Sequence, residues 1–160
     1  MLSADGNQFW HQSSANVLDV IDPGDEFGSS LAAGDFNDDG EVDLAVGVAR
    51  EDVETVADAG AVNVLYGTGA GLAAAGNQLW HQGSPGIEAL EAADFFGNAL
   101  AAGDFNGDGA DDLVVGVANE DLPGAPDAGA VNVIYGSSGG LTSAGAQFWH
   151  QDIPGVLAVA

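Results

Sequence analysis

Between residues 27 and 34, Phe27, Ser29, Leu31 and Ala33 alternate with Gly28, Ser30, Ala32 and Gly34. At 44–49, Leu44, Val46 and Val48 share one side while Ala45, Gly47 and Ala49 share the other. At 61–66, Val62, Val64 and Tyr66 alternate with Ala61, Asn63 and Leu65, and a fourth segment carries Trp80. Period-two alternation bounded by Gly, Asp and Pro predicts short β-strands, and no stretch has helical periodicity of useful length. The two sides of the first strands are unequal, one bulky and apolar, the other made of Ala, Gly and Ser. Glycine inside a strand often marks close approach by another backbone. A sheet with one bulky and one shaved side can stack on a copy of itself, bulky against shaved.

Such a copy is present. "FGSSLAAGDFNDDGEVDLAVGVA" (27–49) and "FGNALAAGDFNGDGADDLVVGVA" (96–118) agree at 17 of 23 positions without a gap. The match continues in "DAGAVNVLYG" (58–67) against "DAGAVNVIYG" (127–136) and ends in "NQLWHQ" (77–82) against "AQFWHQ" (146–151). A third "NQFWHQ" stands alone at 7–12. The expected organisation is a spare outer strand and linker (1–26), a first unit (27–82), a linker (83–95), a second unit (96–151) and a tail (152–160). Each unit is expected to form a four-stranded antiparallel sheet.

The hairpin between the first two strands of each unit carries the candidate chemistry. D-x-N-x-D-G places Asp35, Asn37 and Asp39, and again Asp104, Asn106 and Asp108, at positions 1, 3 and 5 of a tight turn. Gly40 and Gly109 give the reversal its backbone freedom. A backbone carbonyl at position 7 (Glu41 or Ala110) and a carboxylate at position 9 (Asp43 or Asp112) would complete an all-oxygen cage. Such a set suits a hard cation, and this many protein ligands favours Ca²⁺ over Mg²⁺ and selects against zinc or copper. Two Ca²⁺ sites are therefore expected. An EF-hand shares the opening but needs a bidentate Glu at position 12, where Val46 and Val115 stand inside strands. The competing reading is an acidic turn without metal.

Composition narrows the partners. Twenty-five acidic residues against Arg50 alone give a formal charge of −24, which disfavours nucleic acid and anionic membranes as partners. With 46% hydrophobic residues interleaved among the acids, a folded chain is expected. Two divalent ions would offset only part of the charge, so a solubilising surface must account for most of it. There is no cysteine, hence no disulfide or thiolate site. The opening "MLSADGNQFW" has neither a basic nor an apolar signal region, so no secretory signal is expected on this chain. No apolar run approaches the length of a membrane span.

The chain resembles FG-GAP repeats, the blade sequence of integrin α-type β-propellers. Phe27-Gly28, Phe96-Gly97, the two acidic hairpins and the strands after them carry the resemblance; "GVA" at 47–49 and 116–118 replaces the usual "GAP". The resemblance implies an all-β propeller segment with structural Ca²⁺ ions on one rim, stabilising blades rather than binding ligand. It also implies an extracellular or cell-surface setting and a role in adhesion or binding of a protein or glycan ligand. Catalysis by this segment is not expected. The alternatives are an accessory domain of a secreted enzyme such as a hydrolase, or a self-assembling structural repeat. Propellers use about 4–8 blades. Two blades imply either the rest of a longer propeller or a head-to-tail ring of three or four chains. An open pair would leave one bulky and one shaved face in water.

Other residues fit bland roles. His11, His81 and His150 recur as Trp-His-Gln and read as packing, and the Trp residues as outer-strand anchors with a minority reading as sugar-stacking platforms. Asp25, Glu26 and Asp94 read as surface acids, although paired carboxylates also serve glycoside hydrolysis. The loops 50–60 and 119–129 differ most between copies, which suits either recognition or unconstrained surface.

Overall fold

The computed structural model describes residues 5–156. Eight strands form two sheets: β1 (Phe27–Gly34), β2 (Asp43–Val48), β3 (Ala61–Tyr66) and β4 (Ala73–Trp80), then β5 (Phe96–Gly103), β6 (Asp112–Val117), β7 (Ala130–Tyr135) and β8 (Thr142–His150). Each sheet is a four-stranded antiparallel meander, in the order β1-β2-β3-β4 and β5-β6-β7-β8. No helix among the described residues is long and apolar enough to cross a membrane.

Register converts the alternation into two faces. Leu31 pairs with Val46 and Ala33 with Leu44, while Ser30 faces Gly47 and Ala32 faces Ala45. Leu44 then pairs with Leu65 and Val46 with Asn63, which extends the bulky face across β3. The second sheet repeats this register, Leu100 with Val115 and Leu113 with Ile134.

The sheets stack bulky against shaved. Phe96, Leu113, Val115, Val117 and Ile134 enter one core with Ala32, Ala45, Val62, Val64, Tyr66 and Trp80. Burial of these side chains, at roughly 1.5–3 kcal/mol for each large one, is the main force holding the pair together. Gly47 shows why the receiving face must be shaved: a Cβ there would fall on the Gly97 carbonyl oxygen. At Gly34 it would meet the Asp111 side chain at 2.9 Å and the Ala102 Cβ at 3.1 Å. Main-chain bonds stitch the seam, with Asp111 N–H donating to the Asp35 carbonyl (2.8 Å) and Phe96 N–H to that of Ala59 (2.9 Å). The Ser30 hydroxyl donates to the Gly97 carbonyl (2.6 Å).

The outer faces differ from the expectation of two bare surfaces. The shaved face of the second sheet is bare: Trp149 is 43% exposed where its counterpart Trp80 is 8%, and Phe105 is 59% exposed where Phe36 is 0%. The bulky face of the first sheet is largely covered, because Val17 and Trp10 pack on Leu65 and Ala74. Asn77 also accepts a bond from Leu18 N–H and donates to the Asn16 carbonyl. Cover is incomplete, and Leu31 remains exposed. Residues 7–12 join neither sheet as a strand; they run along the first sheet, held by side-chain amides.

Candidate functional site

Both acidic hairpins close on their own backbone. Asp35 accepts from the N–H groups of Asp39 (3.0 Å) and Gly40 (2.9 Å). Asn37 Oδ1 also accepts from Asp39 N–H, and Asp39 Oδ1 accepts from Glu41 N–H (2.8 Å). The second hairpin repeats the pattern: Asp104 accepts from Asp108 and Gly109, Asn106 from Asp108, and Asp108 from Ala110. Position 4 of the turn is left-handed in both copies, occupied by Asp38 at φ 54° and by Gly107 at φ 81°.

The ninth position behaves differently from the first five. Asp43 and Asp112 are buried, and each receives two backbone N–H groups from different loops. Asp43 holds Phe36 (2.8 Å) and Gly67 (2.8 Å), and Asp112 holds Phe105 (2.9 Å) and Gly136 (2.9 Å). These carboxylates tie the β1–β2 turn to the β3–β4 turn. Burial pushes the Asp43 carboxyl above its ordinary range, and the charges of Asp39 and Asp35 push the same way.

Among the described residues, no three Asp, Glu, His or Cys side chains are gathered tightly enough to form a metal cage by themselves. As a donor set, each hairpin still fits a hard divalent cation. Asp35, Asn37 and Asp39 supply carboxylate and amide oxygens from a single turn, with the Asp43 carboxyl at position 9 behind them. The N–H bonds they accept leave lone pairs uncommitted. Like charges at this spacing repel in the absence of a counter-ion.

A second constellation lies at the opposite end of the sheets, and here the sequence expectation needs correction. Asp25 and Asp94 are not surface acids: they are 4% and 3% exposed. Gln82, in the turn after β4, donates its amide to Asp94 (2.7 Å) of the linker and Glu120 (2.7 Å) of the second repeat. Gln12 does the same to Asp25 (3.0 Å) and Glu51 (2.7 Å) of the first, and also reaches Asp19 (3.2 Å). Asn63 donates to Asp19, and its counterpart Asn132 to Glu88. Desolvation and a hydrogen bond with Asp19 push Glu51 up to about 9. Desolvation together with the charges of Glu88 and Asp94 pushes Glu120 up to about 8. Each cluster is built from the acids of one repeat and of the segment leading into it, so the two repeats do not pool carboxylates in one cluster. Glu26 is exposed and pairs with Arg50 (3.2 Å).

The remaining candidates fall where strands and loops put them. His11 and His150 lie tilted against Phe9 and Phe148, at 5.3 and 5.4 Å between ring centroids. His81 lines a cavity of about 490 Å³ beside Asp19 and Glu51. The loops 50–60 and 119–129 both join the second to the third strand of their sheets, at the end away from the hairpins, and Glu51 and Glu120 begin them.

A model of the FG-GAP repeat matches residues 27–65 and 96–134. Among curated proteins, the phosphatidylinositol-glycan-specific phospholipase D of Rattus norvegicus is 34% identical over 131 residues, which is 82% of this chain and 15% of that protein. The Homo sapiens protein of that name is 34% identical over 117 residues, 72% of this chain and 14% of its own length. The Bos taurus protein is 37% identical over 100 residues, 62% of this chain and 11% of its own. The chain thus corresponds to about one seventh of the rat and human relatives.

Proposed function

The chain carries two FG-GAP repeats, and on that premise we propose that it is a Ca²⁺-stabilised propeller segment that presents a recognition rim outside the cell. The hairpins carry this reading, since the same all-oxygen set recurs in both repeats. Asp35, Asn37 and Asp39 would hold one ion and Asp104, Asn106 and Asp108 the other. Position 7 (Glu41, Ala110) would contribute a carbonyl, and Asp43 and Asp112 would contribute negative charge while anchoring the turns. When bound, the ion supplies charge neutralisation and rigidity. The protein's own part is to pre-form the turn through the N–H bonds already described.

The ions are structural in this reading. The hairpins occupy one end of the sheets, next to seam residues such as Asp111, whose side chain accepts from Asp35 N–H (2.9 Å). The loops that differ between repeats occupy the other end and form the surface for a protein or glycan ligand. Sites of this extracellular type bind at around 10⁻⁴–10⁻³ M, which fits Ca²⁺ concentrations outside the cell better than those in the cytosol.

A second reading rests on the relatives, whose name is that of a phospholipase D specific for phosphatidylinositol-glycan. In it, the segment is an accessory part of a larger enzyme, with the chemistry carried elsewhere. Calorimetric titration with CaCl₂ after chelation tests the shared core of both readings. Two sites are expected, and Asp39→Ala removes one while leaving the other. No heat of binding, or unchanged stoichiometry in Asp39→Ala, would reject it.

A further inference from the structure

The outer strand of each repeat and the turn that follows it carry Gln-x-Trp-x-Gln; strand alternation puts the first amide and the indole on one face, and the second Gln follows in the turn. Between the two sheets this face is a clamp. Gln78 grips Leu141 of the second repeat from both sides, its amide donating to the Leu141 carbonyl (3.0 Å) and its oxygen accepting the Leu141 N–H (3.1 Å). Gln82 reaches the Asp94–Glu120 pair at the other end of the same strand. Trp80 fills the core between them.

Residues 8–12 make the same bonds to the first repeat. Gln8 donates to the Leu72 carbonyl (2.8 Å) and accepts Leu72 N–H (2.9 Å), and Gln12 reaches Asp25 and Glu51. Leu72 is the counterpart of Leu141, and Asp25–Glu51 that of Asp94–Glu120. The segment 8–12 therefore occupies, on the first repeat, the seat that an outer strand occupies on the second.

Among the described residues, the third clamp engages no seat. Gln147 accepts from the indole N–H of its own Trp149 (2.8 Å), and Gln151 donates to the Ala128 carbonyl of its own repeat (3.2 Å). Trp149 stands at the edge of an apolar groove of about 430 Å³ running past Gly116, Gly129 and Val131. The corresponding groove on the first repeat is the one filled by Phe96-Gly97.

We propose that the Gln147–Trp149–Gln151 face is an interaction surface for a second copy of this chain, whose Leu72 and Asp25–Glu51 seat it enters by displacing that copy's residues 8–12. Both halves of the seam are present on one molecule, and the seam between repeats shows how they fit. Each contact made by the incoming strand replaces an equivalent contact made by residues 8–12. Exchange is therefore close to isoenergetic at the seat, and burial of Trp149 and the groove drives it. Residues 8–12 act as a competing occupant that sets the concentration at which copies join head to tail. The proposal is independent of Ca²⁺ and of any ligand at the rim.

Sedimentation of residues 1–160 over a concentration series tests this. Gln8→Ala/Gln12→Ala weakens the chain's own occupant, and its weight-average mass is expected to rise about twofold or more at concentrations where the wild type stays monomeric. Adding Gln147→Ala/Gln151→Ala should return it to the monomer. Should the double variant lose its β-sheet circular dichroism, Gln12→Glu, which sets a further carboxylate against Asp25 and Glu51, serves in its place with the same expected rise. A folded variant that stays monomeric, or association that survives loss of Gln147 and Gln151, overturns the proposal. Because association needs no Ca²⁺, the masses are expected to be the same with and without chelator, and a failure of Ca²⁺ binding is read separately by the calorimetric titration.

Discussion

Gly47 and Gly116 are the same residue in two repeats, yet only one faces another sheet. A methyl group at position 47 would press on the Gly97 carbonyl, a backbone atom that has no rotamer in which to escape. It would also strike the Ser30 hydroxyl, which donates across the seam. At position 116 the nearest atom to the added Cβ is Ala99 Cβ, of the same sheet, at 3.3 Å. Overpacking costs typically ~1–3 kcal/mol, and a contact with backbone belongs at the upper end of that range. Relief of glycine's unfolded-state entropy returns roughly 0.5 kcal/mol. Gly47→Ala should therefore lose about 2–3 kcal/mol and Gly116→Ala no more than about 0.5. At this chain length the first change lowers Tm by roughly 5–10 °C. Urea denaturation followed by tryptophan fluorescence reads both variants, and Ser30→Ala/Gly47→Ala isolates the backbone contact by removing the hydroxyl. Equal losses at the two glycines, or a neutral Gly47→Ala, would refute the stacking of a bulky face on a shaved one.

Four further outcomes follow from particular contacts. Phe96→Ala should cost about 3–5 kcal/mol in urea denaturation and Phe27→Ala clearly less, because Phe96 is fully buried in the seam and Phe27 only half-buried. Asp38→Gly should raise stability by about 0.5–1 kcal/mol, since the left-handed turn position already carries glycine in the second repeat. Glu51 and Glu120 have folded pKa values near 9 and 8, above the ordinary 4.5, so the native state holds protons that the unfolded chain has released. Their stability contribution is complete below about pH 4.5 and is lost as pH rises through 8–9. Denaturation midpoints should fall over that window and flatten in Glu51→Gln/Glu120→Gln; a midpoint that rises from pH 5 to 9 would contradict it. Ca²⁺ at ten times its Kd should add about 1.4 kcal/mol per site, raising Tm by roughly 6–12 °C for two sites, an effect halved in Asp108→Ala.

The sheets were legible because their signal is local and doubled. Period-two alternation fixed which side chains share a face, and the gapless second copy made the shaved face of Ala45 and Gly47 recognisable as a docking surface. The hairpins were legible as tight turns for the same reason, with Asp35, Asn37, Asp39 and Asp43 all within nine residues; that they hold a cation is the proposal made above. The acid–amide seats were not. Gln82 meets Asp94 and Glu120 at separations of 12 and 38 residues, across a linker and a loop with no periodicity. A signal did exist: Asp25/Asp94 and Glu51/Glu120 keep their identity in segments that otherwise diverge. Their burial depends on the next sheet, which no local window contains. The role of Asp43 was hidden differently. A carboxylate at loop position 9 reads as a cation ligand, whereas the fold also uses both its oxygens to hold the turns around Phe36 and Gly67.

A high-resolution crystal structure grown in millimolar CaCl₂ bears most directly on the proposed function. The account predicts one ion in each hairpin, touching oxygens of Asp35, Asn37 and Asp39 in the first and of Asp104, Asn106 and Asp108 in the second. Hairpins holding only water, with those side chains turned to solvent, would contradict it.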